Sequence, residues 1–111
     1  MRTDIGVIAG YGFELAEHEV EDLLLARGVE RVELYEAEYD NWLYEGIDEV
    51  YSDNKSLFTI EYGGGYFGGD NKYFAIINHN FKKDSLELQV MTIERMFVGK
   101  RVVFIRFGYN K

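Results

Sequence analysis

The stretch "YGGGYFGGDNKY", Tyr62 to Tyr73, puts five glycines into seven positions with a lysine just beyond them. A glycine-rich turn can wrap phosphate oxygens in backbone N–H groups, and the triphosphate version needs Gly-Lys, then Ser or Thr, then a helix. Here Gly69 is followed by Asp70, Asn71 and Lys72 and then by strand-like sequence. No hydroxyl is placed to hold magnesium, and Asp70 would repel a phosphate, so that reading fails. Two others remain. In one, the glycines let two strands reverse, with Tyr66 and Phe67 packing back on the sheet. In the other, the loop presents Tyr66 and Phe67 to a partner, since aromatic side chains on loops make good contact anchors.

A second candidate is "GYG" at Gly10 to Gly12, between a strand-like run and a helix-like run. With an acid further on at Glu36 or Glu38 it imitates a dinucleotide-binding unit. The third glycine position holds Leu15, however, and the helix start carries Glu14 and Glu17, where a pyrophosphate needs positive potential. The expectation is a tight strand-to-helix turn.

Other chemistries find little purchase. The only histidines are His18 and His79, nothing places them together, and Asp53 with Asn54 lacks the glycine and terminal glutamate of a calcium loop. Ser52, Ser56 and Ser85 lie in turn-like sequence without a nucleophile elbow. Carboxylate pairs are too plentiful to single one out. The expectation is a non-enzymatic protein with no metal and no cofactor.

The elements that position these residues read as an α+β domain: a mostly antiparallel sheet of five to six strands with one or two helices packed on it, in a single domain over 1–111. "IGVIAG" (Ile5 to Gly10) reads as a buried strand. From Leu15 to Arg27, Ala16, Val20, Leu23 and Leu24 recur at helical spacing, with Glu14, Glu17, His18 and Glu21 opposite and Gly28 as a left-handed cap. "VERVELYEAEY" alternates and reads as a strand, continued by "LYEGIDEVY" with Gly46 as a bulge. "SDNKS" is a turn, and "LFTIEY" and "YFAIINH" are strands flanking the glycine loop. Between Asp84 and Phe97 the stripe Leu86, Val90, Ile93, Phe97 and the capping-box spacing of Asp84 and Glu87 favour helix over strand. "RVVFIRFGY" closes the sheet.

Charge is the least ordinary property of the chain. Residues 1–53 hold fifteen acids against three arginines, and residues 54–111 hold five acids against nine Lys and Arg, within a net charge of −8. Such a protein repels nucleic acid and anionic membranes and attracts basic partners. Glu14, Glu17, Glu21 and Asp22 belong to the helix, Glu33, Glu36, Glu38 and Asp40 to the expected strand, and Glu45, Asp48 and Glu49 follow. On a strand, alternate carboxylates repeat at about 6.6 Å, a spaced row suited to a groove built for phosphates. Tyr35, Tyr39, Trp42 and Tyr44 are interleaved, and aromatics among acids suit a protein interface better than a solubilising coat.

Composition sets the remaining bounds. Apolar residues make up 47% and cysteine is absent, so a core is affordable while disulfides and thiolate sites are excluded. The N-terminal "MRTDIGVIAGYGFEL" does not read as a signal peptide, and no run is long enough to span a bilayer. The expectation is a soluble, cytoplasmic protein.

The opening "GYGFEL", an acidic helix ending in "LLLARG", then "RVELYEAEYD" and "WLYEGI" resemble small acidic uncharacterised proteins encoded by bacteriophages. The similarity covers the first half only and brings no site residues with it. It implies action on a host-cell protein with a basic nucleic-acid-binding groove, including mimicry of DNA that blocks nucleases, polymerases or CRISPR effectors, without direct binding of nucleic acid. The leading expectation is such an inhibitor, acting through the acidic face of residues 14–49. A second is a phage protein that binds a nucleotide-derived signal through the Gly63–Gly69 loop with Lys72, Lys82, Lys83, Arg101 or Arg106. A third is an assembly protein, and homodimerisation through a sheet edge accords with the abundant aromatics.

Overall fold

The computed structural model describes residues 5–30, 36–52, 56–64, 71–79 and 85–110. The elements are β1 (Ile5–Leu15), α1 (Glu17–Ala26), α2 (Glu36–Val50), β2 (Phe58–Gly63), β3 (Lys72–Ile77), α3 (Leu86–Met96) and β4 (Val103–Asn110). One antiparallel sheet runs in the order β2-β3-β1-β4. The α+β class holds. Among the described residues the sheet has four strands rather than five or six, and there are three helices rather than one or two.

The difference is α2. The run read as a strand followed by a bulged continuation is helical from Glu36 to Val50, and the first part of that run, 31–35, lies outside the described residues. Leu43, Ile47 and the glycine between them, Gly46, are buried, with Tyr39 and Val50 half-buried on the same side: a helical stripe. Gly46 is no bulge. A Cβ there would stand 2.8 Å from Leu24 Cδ1, so the glycine lets α2 cross α1 closely.

α1 forms as expected. Val20 and Leu24 are fully buried, and Gly28 takes φ +86° just past the helix end. At its start the Ala16 N–H donates to Glu19 Oε1 (2.9 Å), and Lys100 Nζ donates to the same oxygen (3.0 Å). That backbone hydrogen bond, with Lys100 adding to it, holds the Glu19 carboxyl below its usual range despite partial burial. α3 is also helical, as the stripe favours. Ser85 is its N-cap, accepting from the Leu88 N–H (3.2 Å), while Asp84 of the expected capping box lies outside the described residues.

β1 runs eleven residues, straight through "GYG" to Leu15, so that segment is mid-strand and not a turn into the helix. The strand pairs with β4 over Ile5 to Gly12 and with β3 over Gly12 to Leu15. Alternation puts Phe13 and Leu15 on the helix-covered face with Phe58, Ile60, Tyr73, Ala75 and Ile77, the main core. The other face holds a smaller cluster of Ile8, Phe74 and Ile76, with Ile105, Phe107 and Tyr109 packed on it. On that face β1 presents Gly6 and Gly10, and Tyr109 and Ile76 from its neighbours fold over them, while Gly12 lies directly against the β3 backbone at Ala75. The sheet curls enough that Tyr109 of β4 reaches β2 at the opposite edge: a Cβ on Gly63 would meet Tyr109 Cγ at 2.5 Å.

Candidate functional site

The two acidic helices pack against each other on the same side of the sheet. α1 contributes four carboxylates and α2 six, and neither helix contains a Lys or Arg. Glu17, Asp22, Glu38, Glu45, Asp48 and Glu49 are exposed, whereas Glu21 and Asp40 are half-buried. The Tyr39 hydroxyl donates to Glu21 Oε2 (2.6 Å), tying the helices together. Glu38, Glu45 and Glu49 fall along one stripe of α2, at helical rises of roughly 10 and 6 Å. The expected strand-borne row is therefore replaced by a helical layer. Glu14 does not belong to it, because it sits on β1, 3.9 Å from Lys72 Nζ. Glu33, Tyr35, Tyr66 and Phe67 lie outside the described residues, as does the side chain of Glu36.

The expected aromatic contacts are engaged within the molecule. Trp42 Nε1 donates to the Glu30 carbonyl (2.8 Å) and its ring lies 5.9 Å from that of Tyr39. Tyr44 stacks on Tyr62 at 4.5 Å and 14°. Glycine-loop chemistry resolves in part: β2 and β3 form a hairpin closed by the pair Gly63 and Lys72.

Beside that hairpin is a feature that sequence reading missed. A cleft of about 500 Å³ opens between the second half of α2, the outer edge of β2 and Tyr109 of β4. Its described walls carry Tyr44, Tyr51, Tyr62 and Tyr109, the carboxylates of Asp48 and Glu61, and no Lys or Arg. The Asn71 side-chain amide donates to the Tyr44 hydroxyl. Ser52 Oγ donates to the Asp48 carbonyl (2.5 Å), and Ile60 N–H donates to the Tyr51 carbonyl (3.0 Å), fixing the end of α2 against β2. These residues come from three elements spread from 44 to 109, and no local spacing announces them.

No protein-family model matches the chain, and no curated protein or solved structure matches it either. The reading rests on the geometry. Among the described residues no group of three or more His, Asp or Glu is placed to hold a metal ion, and no helix is long and apolar enough to cross a membrane.

Four phenols at or behind the cleft, Tyr44, Tyr51, Tyr62 and Tyr73, share one electrostatic signature. Burial raises the pKa of Tyr44, with Asp40 adding, and that of Tyr62, with Asp48 and Glu61 adding. Burial likewise raises Tyr51, against the pull of Arg27, whose guanidinium lies 5.3 Å from the ring centroid. Tyr73, behind the cleft, is raised furthest, again by burial. A raised folded pKa means that the unfolded chain ionises first. The stability these neutral phenols contribute is present below the unfolded value of about 10 and lost as pH climbs toward the folded values. We expect the melting temperature to fall as pH passes about 10, with a late-ionising subset of phenols in the near-ultraviolet titration. A single smooth titration of all nine tyrosines, with no loss of stability, would contradict this placement.

Proposed function

We propose that this protein is a non-enzymatic binding module that lays the α1–α2 layer on a basic groove of a nucleic-acid-binding protein and competes with nucleic acid there. The observation that carries the reading is the concentration of ten carboxylates on two packed helices that contain no Lys or Arg. Like charges at this density weaken the helices that bear them, by a few tenths of a kcal/mol for a pair such as Glu45 and Glu49. A facing cationic surface would relieve that repulsion. The half-burial of Tyr39, Trp42 and Tyr44 supports a firm platform, since rings packed under the charges hold the helices in place.

The test is a triple charge reversal, Glu38→Lys, Glu45→Lys and Glu49→Lys, which takes the formal charge from −8 to −2. All three side chains are exposed, so the fold should survive. The wild-type protein, immobilised in a bacterial lysate, should retain a nucleic-acid-binding protein that raised salt releases, and should displace nucleic acid from it. The reversed protein should lose that retention. Equal retention by both, or a captured protein that binds nucleic acid undisturbed, would refute the reading. Binding of a phosphate-bearing ligand in the cleft beside Gly63 finds no comparable support, because the described walls there present Asp48 and Glu61.

A further inference from the structure

We propose that the tyrosine-lined cleft is a receptor for an organic cation, an alkylguanidinium or alkylammonium group. Its volume of about 500 Å³ accommodates a group of that size with part of its stem. Four tyrosines, Tyr44, Tyr51, Tyr62 and Tyr109, line it, and the negative faces of such rings attract cations. Asp48 from α2 and Glu61 from β2 line it from two elements, and both are exposed to a ligand entering it.

The cleft's composition discriminates among ligands. An anion would meet two carboxylates and no cation on the described walls. A neutral apolar ligand would strip water from those carboxylates without replacing it, which is costly. A cation with several N–H donors pairs with a carboxylate while its stem lies against a ring. Gly63 at the end of β2 and Gly64 just past it line the cleft without side chains of their own. The Tyr109 ring occupies the space that a Gly63 side chain would need. The walls are preorganised: Tyr44 is stacked on Tyr62 and held by Asn71, and α2 ends in hydrogen bonds at Ser52 and Tyr51.

The cation could be carried by a basic protein segment or be a free polyamine, and two probes separate these sources. N-acetyl-arginine methylamide represents the first and spermidine the second, with the neutral isostere N-acetyl-citrulline methylamide as control. In an NMR titration at moderate salt, at least one cation should shift the ring signals of Tyr44, Tyr62 and Tyr109 saturably, while citrulline does not. The pair Asp48→Asn with Glu61→Gln should weaken that binding about tenfold. The pair Asp22→Asn with Glu38→Gln removes the same charge from outside the cleft and should change it less than about twofold. Tighter binding of the arginine probe assigns the cleft to a protein side chain, and tighter binding of spermidine to a free amine.

The proposal is overturned if neither cation gives a saturable shift, if citrulline matches them, or if both double variants weaken binding equally. The readout involves no protein partner. Failure of the capture experiment leaves this inference standing, and the reverse is also true.

Discussion

Substituting alanine for Gly12 is expected to remove at least about 3 kcal/mol of stability, a large share of the 5–15 kcal/mol typical of a domain. Gly12 is where β1 passes from one partner to the other, paired with Ile76 of β3 and Val103 of β4. A Cβ added there would lie 1.8 Å from the Ala75 carbonyl oxygen, 2.8 Å from its carbon and 3.1 Å from Ile76 Cα. All three are backbone atoms of a central strand, and no rotamer change can move them. Accommodation would require β3 to part from β1, breaking the ladder that carries Phe13 and Leu15 into the main core. Gly46→Ala is the contrasting case. Its new methyl meets the far end of the Leu24 side chain at 2.8 Å, which can shift, and alanine gains up to about 1 kcal/mol of helix propensity. Denaturant midpoints should therefore separate the two variants widely. A Gly12→Ala protein within about 1 kcal/mol of wild type would show that the sheet does not depend on this close approach.

The same glycines explain why sequence reading went astray at β1. Strand, Gly-x-Gly, helix is the pattern of a turn, and nothing local reveals that the glycines are needed by residues 66 and 103 positions away. Ile76 and Tyr109 fold over Gly10 and Gly6, a demand set by tertiary packing. α2 failed for a different reason. The alternation from Val32 to Tyr39 is genuine but stops where the helical stripe of Tyr39, Leu43, Ile47 and Val50 begins, and Gly46 looks like a strand breaker. In fact it serves helix crossing, which is a matter of contact with Leu24. By contrast α1, α3, the β2–β3 hairpin and β4 were legible because their signals are local: period, cap residues and turn composition.

For the site, the sequence reveals charge but not surface. The acid-rich half was plain from counting; ten of its acids lie on α1 and α2, which are helices, and Glu14 sits on β1 instead. The cleft was illegible. Its two carboxylates lie thirteen residues apart on different elements, and Tyr109 joins them only because the sheet curls around the β1 glycines. Sheet curvature and cleft are thus one feature. Small residues in β1 let β4 approach β2, and that approach brings the Tyr109 ring to the cleft.

Phe58→Ala should be the most damaging single truncation in the core, with a cost of about 3–5 kcal/mol. Phe58 is the largest of the fully buried side chains, at 1% exposure. It joins three elements at once. Its ring stacks on Tyr51 at the end of α2 (5.2 Å, 18°) and meets Phe97 at the end of α3 edge-on (5.5 Å, 75°). Phe97 in turn sits edge-on to Phe13 of β1 (5.0 Å). Removing the ring leaves a cavity whose neighbours are themselves rings locked into this array, so collapse around it is poor and the cost falls at the upper end. Phe58→Leu keeps most of the volume and should lose about half as much. The damage should also reach the cleft. Tyr51 holds α2 to β2 through the Ile60 N–H, so loosening Tyr51 frees the turn that positions Asp48. Phe58→Leu, still folded at moderate temperature, should therefore weaken cation binding although it touches no cleft carboxylate. Stability loss with cleft affinity unchanged would show that Tyr51 is held by its hydroxyl bond to the Leu23 carbonyl (3.3 Å) rather than by the Phe58 ring.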